Sequence, residues 1–213
     1  MNRAFTIIEA EQRSSEWFAA RLGRVTGSKA ACVLMGDKTT GRADYVLQLA
    51  LERLTGVAEA PGYVSAEMQR GVDREPLARM QAEASGVFIR ETGFLSHNTL
   101  MIGASLDGDS DDFRCIWEFK CPKSTTHIKY LKSAGALLVA DYQAQLTHNV
   151  FVTGAERAIA GSFDDRLPAG LEWVQREVRA ADLPLAEYEK ALTKFLADVA
   201  AMEADLRAMK EAA

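Results

Sequence analysis

The stretch from Ser105 to Pro122 constrains this chain more than any other: Ser-Leu-Asp-Gly-Asp, a short polar loop, then Cys115-Ile-Trp-Glu-Phe-Lys-Cys-Pro. Asp107 stands on a Gly-rich turn, and Glu118 and Lys120 follow, separated by Phe119. Side chains of an extended strand alternate between its faces. The spacing therefore puts Ile116, Glu118 and Lys120 on one face, and Cys115, Trp117, Phe119 and Cys121 on the other as a core-facing row. Two carboxylates beside a lysine suit a hard, oxygen-seeking cation such as Mg²⁺ and a water made nucleophilic next to it. The lysine can orient that water or offset charge building on a phosphate. The plainer alternative is an exposed Glu–Lys pair with Asp107 as a turn residue. Three features favour a site: Asp107 follows the apolar Met101-Ile-Gly-Ala, Glu-x-Lys lies in an apolar strand where unused charges are costly, and Cys121-Pro122 ends the strand sharply.

Elsewhere the chain reads as helices, then a strand meander, then helices and strands. Ser14 or Ser15 caps a helix through Leu22, with Gly23 as its stop. Thr26 to Ser28 opens a second helix, Lys29 to Met35, whose free N–H groups would favour an anion near Ser28. A third helix runs from Asp44 to Leu54 before Gly56, and residues 57–64 form a loop. Ser65 caps a helix to Ser85, with Pro76 inside it and a kink expected near Glu75. Strands are expected at Val87–Arg90, Gly93–Ser96, Leu100–Ala104 and Trp117–Cys121. Helices follow at Ser124–Lys132, where His127, Lys129 and Lys132 make a basic edge, and at Val139–Val152. Arg157–Phe163 and Leu171–Val178 are strand-like. From Leu185 to Met209 apolar residues recur at alternating spacings of three and four, an a/d seam on one long helix. That seam packs on its own domain or, as the rival, on a second subunit.

At 213 residues and 48% hydrophobic content, residues 1–213 suit one domain with a real core. A net charge of −5 excludes a bulk polycation, so a nucleic-acid partner needs a local basic patch. Three scattered Cys and three scattered His offer neither zinc-ligand spacing nor a disulfide framework, which fits a reducing cytosol. Met1 to Ala10 has no signal-peptide core, and no apolar run is long enough to span a bilayer, so no membrane partner is expected.

Four blocks in order resemble one family. They are Glu16-Trp-Phe-Ala-Ala-Arg-Leu-Gly-Arg-Val-Thr-Gly-Ser28, Gly71-Val-Asp-Arg-Glu75-Pro, the Ser105–Pro122 stretch, and Tyr142-Gln-Ala-Gln145. Together they resemble the lambda exonuclease and YqaJ-like viral recombinase family of PD-(D/E)xK nucleases. The resemblance implies an α/β fold with a restriction-endonuclease-like core: a central mixed sheet of about five strands, flanked by helices, with a long C-terminal helix. It implies a 5′-to-3′ exonuclease on linear double-stranded DNA, dependent on Mg²⁺ with Mn²⁺ able to substitute. Asp107, Glu118 and the backbone carbonyl of Phe119 would hold metal, completed by Glu75. Lys120 would position the attacking water or stabilise charge on the phosphate, and Gln145 would hold the water or Lys120 in place. Arg21, Ser28 and Ser105 would bind a 5′ phosphate. The resemblance further implies a single-strand annealing protein as partner, a ring-shaped homotrimer, and phage or prophage origin with action in the cytoplasm of a bacterial host.

Two departures stand out. A second Gln expected after Gln145 is Thr147, and an Arg expected shortly after Cys121-Pro122 is missing, leaving Lys123, His127 or Lys129 to compensate. The rival functions are a related endonuclease or repair nuclease on the same core, and a catalytically idle DNA-binding module.

Overall fold

Strand β6 (Cys115–Lys120) is buried on both sides, and the rest of the chain is arranged to cover it. The structure is a computed structural model that describes residues 3–58 and 65–211. The alternation read from sequence holds. Ile116 enters a large core, while Cys115, Trp117, Phe119 and Cys121 enter a smaller one with Ala78, Ala82, Ile89 and Phe163.

In chain order, β1 (Phe5–Ile8) leads to α1 (Ser15–Arg21), which starts where the Ser14 hydroxyl accepts the Trp17 amide at 3.2 Å. β2 (Val25–Thr26) runs into a 3₁₀ turn, Gly27–Lys29, and then α2 (Ala30–Leu34). The helix expected after Ser28 is therefore one 3₁₀ turn plus five α-helical residues. α3 (Thr40–Thr55) stops at Gly56, whose φ of 70° suits the left-handed cap. The loop expected over 57–64 lies mostly outside the described residues. α4 (Ala66–Glu83) starts on a Ser65 cap and continues through Pro76.

Val87–Arg90 is not a strand. Val87 and Phe88 are exposed, and the segment contributes only one bridge, Arg90 to Asp109. β3 (Phe94–His97), β4 (Ile102–Ala104) and β5 (Gly108–Asp109) precede β6. α5 (Ser124–Lys132), α6 (Ala136–Thr153), β7 (Arg157–Phe163), β8 (Trp173–Arg179) and α7 (Leu185–Glu211) complete the chain.

The strands form two mixed four-stranded sheets, β1-β3-β4-β2 and β5-β6-β7-β8, where sequence had suggested one central sheet of about five. The division falls at Ser105–Asp107, which pair with no strand between β4 and β5. That break frees Asp107 to project toward β6. The parallel β6–β7 pair needs a long crossover, and α5 and α6 supply it.

The large core gathers under α3, α6 and α7, with Tyr45, Leu49, Leu146 and Phe195 buried. On α7, Tyr188, Leu192, Phe195 and Val199 are buried against it, whereas Met209 is exposed. The seam thus packs on its own domain, with Met202 and Leu206 further along the helix partly buried against the same core. His148 on α6 is fully buried, and its two ring nitrogens bridge the Tyr188 hydroxyl (2.6 Å) and the Gly103 carbonyl (2.8 Å). Burial pushes this imidazole down to about 4, so it is neutral and works as a strut.

Candidate active site

Asp107 and Glu118 meet where the two sheets part. The backbone amide of Phe119 donates to Asp107 Oδ2 at 2.6 Å, so strand β6 itself orients the aspartate. Glu118 is only 3% exposed, and three side chains hold it. Lys120 Nζ and Gln145 Nε2 each donate to its Oε1 at 2.5 Å, and Asn149 Nδ2 donates to Oε2 at 3.0 Å. The Lys120 ammonium also lies 4.7 Å from the ring centre of Tyr142.

Glu75 approaches from α4. It lines a cleft of about 550 Å³ with Arg13, Trp17, Arg79 and Ser105. Arg79, one turn further along α4, donates from Nε to the Asp107 carbonyl at 3.2 Å and pairs with Glu91.

Electrostatics distinguish this cluster from an ordinary surface group. Burial, and then the charge of Asp107, push Glu118 up to about 8 and Glu75 up to about 7. Burial raises the Asp107 carboxyl as well, with Lys120 and the Phe119 amide opposing. For Lys120, desolvation acts to lower the pKa, but the Glu118 and Asp107 charges outweigh it and the net shift is upward. Crowded carboxylates that resist ionising are relieved by a bound cation. The donors are hard oxygens with no thiolate or imidazole among them, which fits Mg²⁺ or Mn²⁺ better than zinc. Among the described residues, no three Asp, Glu, His or Cys side chains already converge as a finished ligand set. Asp107 and Glu118 are the two carboxylates in closest association, and Glu75 stands nearby on α4.

Two of the three residues expected to bind phosphate, Arg21 and Ser105, are in contact, and the third, Ser28, meets neither of them by hydrogen bond. Ser105 Oγ accepts from Trp17 Nε1 at 3.0 Å and from Arg21 Nη1 at 3.1 Å. The Arg21 guanidinium lies 3.9 Å over the Trp17 ring. Burial lowers its pKa to about 10, which leaves it charged at neutral pH. Arg21 and the exposed Ser28 line a second cavity of about 170 Å³, together with Arg24, Thr26 and Lys29.

Some expectations fail. His127 offers no basic edge: it is fully buried, its ring bonded to Ser162 Oγ (2.7 Å) and the Leu171 carbonyl (2.9 Å), and burial lowers its pKa. Lys129 and Lys132 remain exposed on α5. An arginine does stand beside Cys121-Pro122, but it arrives from the loop after β7. Arg166 Nη2 donates to the Pro122 carbonyl at 2.8 Å while the same guanidinium is engaged by Asp164. Sequence reasoning also missed Asn149 and Arg79. Each lies four residues beyond a predicted site residue, Gln145 and Glu75, and so on the same helical face; that spacing was the available signal.

An Asp on the turn after β4 beside Glu-x-Lys on β6, set in this mixed α/β frame, defines a nuclease with a restriction-endonuclease-like core. Residues 16–156 match the model of the YqaJ-like viral recombinase domain, and the chain belongs to that family. Among solved structures it is similar to an alkaline exonuclease from Laribacter hongkongensis, LHK-Exo. The identity is 35% and the TM-score 0.82, over 94% of this chain and 100% of that one. The same protein in complex with dAMP matches at 35% identity and TM-score 0.83, with the same coverage. A phage-related exonuclease from Haemophilus somnus shares the fold, with TM-score 0.65 at 13% identity, over 88% of this chain and 96% of that one. Among curated proteins none matches.

Proposed function

We propose that residues 1–213 form one exonuclease domain that digests linear double-stranded DNA from its 5′ ends with Mg²⁺, Mn²⁺ substituting. The observation that carries this reading is the joint placement of Asp107, Glu118 and Lys120, with Asp107 fixed by the Phe119 amide. Bound divalent cations would supply Lewis acidity and a nucleophilic water. Asp107, Glu118 and the Phe119 carbonyl would hold them, with Glu75 reaching in from α4. Lys120, kept charged by its carboxylate neighbours, would stabilise negative charge growing on the scissile phosphate. Gln145 was expected to hold the water or Lys120; its hydrogen bond to Glu118 supports a role in orienting that carboxylate. Arg21, Ser28 and Ser105 would receive the 5′ phosphate.

A nuclease of this family would feed a single-strand annealing protein, because digestion of one strand exposes the other. We place its action in the cytoplasm of a bacterial host. Among the described residues no helix is long and apolar enough to cross a membrane. A ring-shaped trimer is the assembly the family suggests, and it would keep the enzyme on duplex DNA.

The test compares linear duplex with closed circles of the same sequence, with Mg²⁺ and with Mn²⁺. Loss of the linear form alone supports the proposal. Cutting of circles would make the protein an endonuclease, and no cutting with either metal would make it a binding module.

A further inference from the structure

We propose that Asn149 is a positioning residue that fixes the Glu118 carboxylate for cation binding, and that Gly27 is the seat that holds Asn149 in place. The inference rests on the nuclease reading of the site and adds a residue to it. Gln145 and Asn149 are four residues apart on α6 and so share a face. Their amides grip different oxygens of one carboxylate, Gln145 on Oε1 and Asn149 on Oε2. Oε1 has a second donor in Lys120. Among the described residues, Asn149 is the one side chain that donates to Oε2, so without it that buried oxygen has no protein donor. Glu118 could then swing about its last torsion, and its two oxygens would no longer be fixed relative to Asp107.

Asn149 is itself an expensive choice for this place. It is 1% exposed, and its Oδ1 has no hydrogen-bond partner. An apolar side chain of similar size would avoid that cost. What the amide adds is the N–H directed at Glu118. Its orphaned oxygen faces Gly27: a Cβ built there would lie 2.5 Å from Asn149 Oδ1 and 3.3 Å from Gln145 Cγ. Gly27 is not in the left-handed region, so its backbone would accept other residues and the requirement is one of space. Gly27 also opens the 3₁₀ turn that carries Ser28. The same contact therefore ties the carboxylate site to the phosphate cavity.

The test uses the full chain with Asn149→Leu, Asn149→Asp and Gly27→Ala. Turnover and KM are measured on linear duplex, and the rise in Tm caused by Mg²⁺ or Mn²⁺ is measured without DNA. Asn149→Leu should fold, lose about tenfold in kcat with KM for DNA nearly unchanged, and show a smaller cation-induced Tm rise. Asn149→Asp, which sets an acceptor against Glu118, should lose more. Gly27→Ala should act in the same direction, and in an Asn149→Ala background its further effect should be small, because the two share one contact. If Asn149→Leu fails to fold, Gly27→Ala and its double mutant carry the test. Wild-type kcat and an unchanged cation-induced Tm rise in both Asn149→Leu and Gly27→Ala would overturn the proposal, as would strict additivity in the double mutant. A wild-type protein with neither cleavage nor a cation-induced Tm rise would overturn the nuclease reading and this inference together. An active wild type with an indifferent Asn149 would remove only the inference.

Discussion

The Phe119 amide donates to Asp107 Oδ2 at 2.6 Å, so the aspartate on the turn is locked to the strand that carries Glu118 and Lys120. Sequence position alone separates Asp107 from Glu118 by eleven residues and a polar loop. The hydrogen bond converts that separation into a fixed pair. It also explains why Phe119, whose side chain belongs to the small core on the opposite face, can serve the site through its backbone.

Asp107→Asn and Glu118→Gln should each abolish cleavage while the fold survives. Both replacements keep the shape and remove a charge from a crowded, desolvated cluster. Thermal stability without metal should therefore hold or rise. Near wild-type turnover of either variant in Mg²⁺, measured on linear duplex, would show that the site has been wrongly assigned.

The pH dependence has a defined sign. Glu118 and Glu75 have pKa values of about 8 and about 7 in the fold, above the ordinary carboxylate value. The folded state thus binds more protons than the unfolded chain between those values and the unfolded one. Their contribution to metal-free stability is fully present in acid and is lost as pH rises through about 7 to 8. The Tm advantage of Glu118→Gln over wild type should accordingly widen from pH 5 to pH 8, as read by scanning calorimetry in chelator. Saturating Mg²⁺ should abolish the advantage at pH 8, because the cation takes over from the proton. A Tm difference independent of pH would contradict these shifts.

Lys120→Met should lower kcat by about a hundredfold or more and leave DNA affinity within a few-fold, since its proposed action is on charge that develops in the transition state. Single-turnover rates and binding constants on one labelled duplex separate the two effects. Weaker binding with unchanged turnover would make Lys120 a simple phosphate contact.

How far the site could be read in advance depended on how local each signal was. The alternation along Cys115–Lys120 and the helix stop at Gly56 follow from period and backbone conformation, and they reappear in the fold. The division into two sheets did not appear in the sequence, because it turns on which residues pair across the break at Ser105–Asp107. His127 was misread for a similar reason. Its neighbours Lys129 and Lys132 are exposed on the same helix, but the partners that bury it, Ser162 and Leu171, come from β7 and the loop beyond. Arg166 could not be placed beside Pro122 because 44 residues of chain separate them.

Leu192 and Met209 test the two halves of the C-terminal helix. Leu192 is 1% exposed and Met209 is 68% exposed. Leu192→Ala should cost about 2–5 kcal/mol through lost burial and a cavity, and lower Tm by several degrees. Met209→Ala should change monomer stability by no more than about 0.5 kcal/mol. If Met209→Ala instead reduces the mass seen by light scattering, the far end of α7 is a subunit contact.

The last prediction concerns strand polarity. An enzyme that starts at 5′ ends must recognise an end, and the terminal phosphate is its most distinctive chemical feature. Arg21 offers a permanently charged fork, and it is oriented by stacking on Trp17 and by its hydrogen bond to Ser105. The exposed hydroxyl of Ser28 and the side chain of Lys29 line the adjoining cavity. With His127 withdrawn into the core and Arg166 engaged by Asp164, the proposed grip on a phosphate rests on Arg21 and its neighbours, with the exposed Lys123 and Lys129 as the remaining cations named from sequence. A 5′-phosphorylated duplex should be digested much faster than the same duplex with a 5′ hydroxyl. A charge-assisted hydrogen bond is worth about 1.5–3 kcal/mol. Arg21→Ala should therefore slow the phosphorylated substrate by roughly ten- to a hundredfold and the hydroxyl substrate far less, shrinking the preference. Because Arg21 also packs on Trp17, Arg21→Lys provides the control: it keeps a charge and most of the stem, and should retain part of the preference. Equal rates on both ends in the wild type, or full discrimination by Arg21→Ala, would leave Asp107, Glu118 and Lys120 as the nuclease core and remove the phosphate pocket from the mechanism.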